Sequence, residues 1–84
     1  MASAEYLEYQ LGIYRDPETG FVVAEVPALG IADDGEDQDE ALANIRKLAA
    51  FHIDCLIEEG EAIPAETRGG EGIYLRIRRP ARAA

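Results

Sequence analysis

The chain has no tryptophan and only one cysteine, one methionine and one histidine in 84 residues, and each scarcity removes a class of function. A lone Cys55 cannot close an internal disulfide, so this is not a disulfide-stapled scaffold. One imidazole and one thiol cannot complete a four-ligand zinc site. No apolar run approaches the ~20 residues that a membrane-spanning helix needs, and no charged-then-apolar leader of signal-peptide length opens the sequence. The expectation is a soluble protein of a reducing cytoplasm, with no membrane association. Bases are scarce as well: eight against seventeen acids, for a net charge of −9. They are also unevenly placed, with sixteen acids and three bases in residues 1–66 but five arginines and one acid in 67–84. Nucleic-acid binding requires a basic stripe across a folded face, because counterion release supplies most non-specific affinity. Only the end of the chain offers one, so direct nucleic-acid binding is not expected, whereas a negative body attracts basic partners.

What is present is enough for one small domain. Apolar residues make up 48% of the chain, sufficient for a single core layer between a helix and a sheet. A domain of this length buries only somewhat more than ~60% of the surface its unfolded chain exposes. Its stability margin is therefore narrow, and self-association would widen it.

From Glu5 to Tyr14, Leu7, Tyr9, Leu11 and Ile13 alternate with Tyr6, Glu8, Gln10, Gly12 and Tyr14, the period of a half-buried strand. Asp16-Pro17-Glu18-Thr19-Gly20 presets φ at Pro17 and frees it at Gly20, which predicts a reversal into a second strand over Phe21 to Val26. That strand is apolar at almost every position, so periodicity does not choose its buried side. Pro27 ends it, and Ile31 to Asp33 reads as a short third strand before an acidic run. Asp37 and Glu40 have the spacing of a capping box and predict a helix start. Leu42, Ile45, Ala49, His52 or Ile53, and Leu56 trace its apolar stripe, with Arg46, Lys47, Asp54 and Glu58 mostly away from it. Gly60 fits the left-handed residue beyond a helix end, and Pro64 prevents resumption. Glu66 to Gly72 reads as a flexible connector. Ile73, Leu75 and Ile77 then alternate with Tyr74, Arg76 and Arg78 in a last strand. The expected class is α+β: a small antiparallel or mixed sheet in the order β-β-β-α-β, with one main helix on one face. Residues 1–79 form the domain, and 80–84 are expected to be a disordered tail.

The punctuation of this unit carries a resemblance. The apolar strand closed by Pro27-Ala28-Leu29-Gly30, Gly35 ahead of the helix, Glu40-Ala41-Leu42 at its start, and Gly60-Glu61-Ala62-Ile63-Pro64 beyond its end resemble the HicB-like antitoxin domain. The resemblance spans roughly residues 5 to 78. Family members usually show a second proline before the glycine of the first motif, which is missing here, and many carry a DNA-binding module after the domain, which is not expected in a sequence that ends at Ala84. The resemblance implies a partial ribonuclease-H-like fold with the last strand beside the first, and a HicA-like toxin, a small basic ribonuclease, as partner.

No catalytic residue, metal ligand or cofactor is assigned. Nuclease chemistry needs carboxylates from several strands converging on divalent ions, but the last strand turns Tyr74, Arg76 and Arg78 outward and the first offers only Glu5 and Glu8. His52 and Cys55 share a helical face as a core-edge imidazole and a small buried thiol. Asp37 and Glu40 have a capping role, so among the acids of the 33–40 run Asp33, Asp34 and Glu36 are the candidates for partner binding. The arginines at 76, 78, 79 and 82 suit a phosphate-binding strip, solubility alone or, favoured by the charge contrast, a contact with the acidic body of a neighbouring subunit. With one helix, the second sheet face has no cover from this chain. Tyr6, Tyr14, Tyr74 and Arg76 are expected across it as a homo-oligomer interface. The leading expectation is an interaction module of the HicB-like antitoxin kind. The alternative is an orphan homo-oligomeric domain with a structural or ligand-responsive role.

Overall fold

Alternating side chains and well-placed turns build the sheet first. In the computed structural model, which describes residues 6–64 and 72–78, the elements are β1 (Tyr6–Arg15), β2 (Val22–Val26), β3 (Ile31–Gly35), α1 (Gln38–Glu58) and β4 (Ile73–Arg78). Sheet order is β3-β2-β1-β4 with every neighbouring pair antiparallel, so the mixed alternative is removed and the last strand lies beside the first. Glu5, most of the connector and the 80–84 tail lie outside the described residues.

The β1–β2 hairpin closes through its turn chemistry. Asp16 Oδ1 accepts from the Glu18 amide at 2.9 Å, the Asp16 carbonyl accepts from Gly20 N–H at 2.7 Å, and Gly20 takes φ +81°, a left-handed conformation that favours glycine. The ladder then pairs Ile13 with Ala24 and Arg15 with Val22. This settles what periodicity left open: Val22, Ala24 and Val26 face the core, and the strand begins at Val22, leaving Phe21 41% exposed. Pro27–Leu29 form one 3₁₀ turn, closed by Gly30 at φ +68°. The third strand runs to Gly35, two residues beyond the expected Asp33, because its ladder to β2 continues through Asp34↔Val23 and Gly35↔Val22.

Helix α1 is fixed at both ends. Asp37 Oδ1 accepts from Glu40 N–H at 2.8 Å, while Glu40 Oε1 reaches back to the Glu36 amide at 2.6 Å. The reciprocal bond thus lands one residue earlier than in a standard capping box. At the other end Glu61 N–H bonds the Leu56 carbonyl and Gly60 N–H that of Ile57, with Gly60 at φ +72°, the paired bonds of a Schellman motif. Substituting Asp37 by Ala is expected to lower stability by about 1 kcal/mol, read as a lower urea midpoint with an unchanged denaturant slope.

The buried stripe of α1 is Ala41, Ile45, Ala49 and Ile53, all fully buried. Leu42, His52 and Leu56, expected on that stripe, are half-buried at its flanks, and Cys55, expected to be buried, is half-exposed. The small residues at 41 and 49 let the helix sit low over β3 and β2, against which it chiefly packs, with only light contact to β4. Ile73, expected inward from its alternation, is therefore 52% exposed, whereas Leu75 and Ile77 are buried. Tyr9, 1% exposed beneath this layer, donates its hydroxyl to the Pro64 carbonyl at 2.5 Å and so ties the segment after α1 to the sheet. No described helix is long and apolar enough to cross a membrane.

Candidate functional site

Two surfaces emerge from this frame. The first lies where the end of β3 meets the start of α1. Phe21, Asp34, Gly35, Glu36, Glu40 and Asn44 line a shallow depression of about 170 Å³. Each wall has a local cause. Gly20 ends the hairpin and releases Phe21 at the mouth of β2. Asn44 Nδ2 donates to the Asp34 carbonyl at 2.8 Å and holds the helix against the β3 edge. Glu40, turned back to the Glu36 amide, closes the floor.

Of the three acids expected to bind a partner, Asp34 and Glu36 come together here. Asp33 does not line the depression: it alternates to the helix side of the sheet, opposite Ala24, and its Oδ1 accepts from the Asp34 amide at 2.8 Å. Phe21 and Asn44 were not singled out by the sequence, and Glu40 only as a helix cap. Nothing local marks Phe21, and Asn44 is signalled only as a polar residue two turns past the cap. Carboxylates set around an exposed aromatic ring suit a guanidinium or ammonium group, which carboxylates pair with and ring faces attract. Among the described residues no group of three or more His, Cys, Asp or Glu is arranged to hold a metal ion.

The second surface is the sheet face opposite α1. Register places Tyr6, Glu8, Gln10, Gly12 and Tyr14 of β1 on it with Val23 and Glu25 of β2 and Tyr74, Arg76 and Arg78 of β4. Arg76 is the centre of one cluster. Its guanidinium lies 4.3 Å from the centroid of the Tyr6 ring and its Nε 3.8 Å from Glu8 Oε2. At this exposure the ion pair adds little stability, and the contact chiefly orients the guanidinium. Tyr14, 50% exposed, stands at the opposite end of β1, eight residues from Tyr6 and so roughly 26 Å along a strand. The four residues expected at an oligomer interface thus share one face without forming one patch. Tyr6 and Arg76 meet at one end of the β1–β4 pair, Tyr74 lies opposite Gln10 midway along β1, and Tyr14 stands at the other end opposite Val23.

No family model matches this chain, and no match emerges among curated proteins or solved structures.

Proposed function

We propose that this chain is a HicB-like antitoxin module, of the partial ribonuclease-H-like kind, which binds and occludes a small basic HicA-like ribonuclease. Its support is the order of parts along the chain: hairpin, Pro27-to-Gly30 turn, Gly35, capped helix, Gly60 to Pro64, and a last strand returning beside the first. The observation that carries the mode of action is the acidic depression, where Asp34, Glu36 and Glu40 surround the exposed Phe21. Occlusion would follow from charge, the carboxylates taking the basic toxin surface that RNA phosphates would otherwise occupy. Asp34 and Glu36 are the principal contacts, with Asp33 adjacent in the strand but turned to its other face. The test is RNA cleavage by a basic ribonuclease encoded beside this chain, assayed with and without the purified protein. Stoichiometric inhibition is expected, and undiminished cleavage in the presence of excess protein would remove the antitoxin role.

A second reading, an orphan homo-oligomer without a toxin, draws on the uncovered sheet face with its exposed Tyr6 and Tyr14. In that reading Tyr6, Tyr14, Tyr74 and Arg76 serve subunit contact alone. A neighbouring gene for a short basic protein with one catalytic histidine favours the first reading, and its absence the second.

A further inference from the structure

The two edges of the sheet are treated differently by the sequence. Along β3, the adjacent carboxylates of Asp33 and Asp34 blunt the edge, as natural sheets commonly do. Strand β4 ends the sheet on the other side with no strand beyond it among the described residues. It has no proline over Ile73–Arg78, and Ile73 leaves apolar surface in solvent beyond the reach of α1.

The sequence of β4 is complementary to itself in one register. When two copies of a strand pair antiparallel about a twofold axis, opposed residues must point to the same side of the sheet. The axis must therefore pass through a residue and not between two. An axis at Arg76 sets two guanidinium groups directly against each other, which is unfavourable. An axis at Tyr74 leaves Ile77 without an opposite number in the strand. An axis at Leu75 sets Leu75 against Leu75 and Ile73 against Ile77 on the helix side, and Tyr74 against Arg76 on the open side. The two Arg76 residues are then diagonal neighbours and not directly opposed, and each apolar residue meets another.

We infer that β4 is a self-pairing edge, through which two copies of this chain join antiparallel about Leu75 into one continuous eight-stranded sheet. On the helix side, Ile77 of the second copy covers the exposed Ile73. On the open side, Arg76, already held over Tyr6 and beside Glu8, receives the ring of Tyr74 from the second copy, as a guanidinium between two aromatic rings. Arg46 Nη1 donates to the Arg76 carbonyl at 2.8 Å. A carbonyl has two lone pairs, so that bond is compatible with a ladder bond to the same oxygen. The pairing needs no toxin, so its failure and that of the antitoxin reading are separate results.

Light scattering on the full chain at roughly 100 µM tests the association, concentration being part of any dimer's apparent stability. A dimer is expected. Ile73→Lys, at an exposed position that tolerates the change, is expected to raise the dimer Kd at least about tenfold, while Tyr14→Ser on the distant part of the open face leaves it unchanged. The register is read by oxidising a Tyr74→Cys/Arg76→Cys double variant in a Cys55→Ala background. Each new thiol then faces its counterpart, giving a covalent dimer. Either single substitution leaves the two like thiols on a diagonal, roughly 7–8 Å apart, too far for a disulfide. A monomeric wild type would overturn the edge pairing. So would dissociation by Tyr14→Ser with Ile73→Lys intact, or cross-linking that is absent in the double variant or equal in the single ones.

Discussion

Gly35→Ala is expected to destabilise the protein by about 3 kcal/mol, at the upper end of overpacking effects. A β-carbon at this position would lie 2.6 Å from the Ala41 amide nitrogen and 2.8 Å from both the Glu40 carbonyl carbon and its Cβ. Two of these are backbone atoms of the first helical turn, so no side-chain rotation relieves the clash. Either α1 lifts from β3 or the strand bends away. Lifting the helix strains the Glu40 bond to the Glu36 amide and opens the depression that Gly35 lines. For a domain whose whole stability is about 5–15 kcal/mol, such a loss moves the urea midpoint far down. A shift equivalent to less than about 1 kcal/mol would mean that the helix start yields freely.

Ile45→Ala should cost a comparable amount, about 3–4 kcal/mol. Ile45 is fully buried in the middle of the stripe, between Ala41 and Ala49. Its two small neighbours cannot expand into the space that truncation leaves, so the lost transfer energy is joined by a cavity term. Phe51 is the contrast on the same helix. It carries a larger side chain but is 65% exposed, and Phe51→Ala should fall within about 0.5 kcal/mol of the wild type. Equal effects at the two positions, measured by urea unfolding, would contradict the helix orientation.

The elements set by local chemistry were legible in the sequence. The 16–20 turn, the Asp37 cap, Gly60 and the alternation of β1 act within a few residues, and each stands where its spacing implied. Features set by packing were not. The acidic stretch beyond Asp33 reads as loop, yet β3 continues to Gly35 because the ladder to β2 and the close approach of α1 hold it there. Weight given to bulky residues shifted the helix stripe toward Leu42, whereas the approach over Gly35 leaves room only for Ala41. Ile73 has the alternation of a core residue but lies beyond the lean of the helix. The acidic depression was half legible: Asp34 and Glu36 belong to a visible charge run, while Phe21 and Asn44 reach it from β2 and α1 through tertiary contacts alone. The gathering of Tyr6 and Arg76, and the isolation of Tyr14, depend on a β1–β4 register that no local signal specifies.

On the proposed reading the exposed carboxylates of the depression hold a basic partner, Asp37 and Glu40 already accepting from the amides of Glu40 and Glu36. The most direct measurement is a calorimetric titration of the full chain with a small basic HicA-like ribonuclease, the partner proposed for it, repeated with Asp34→Lys/Glu36→Lys. Both substituted positions are exposed, so the variant should keep its fold. Binding by the wild type, weakened at least roughly tenfold in the variant and falling with added salt, is the predicted result. Equal affinity of the two proteins, or no heat of binding from either, would contradict it.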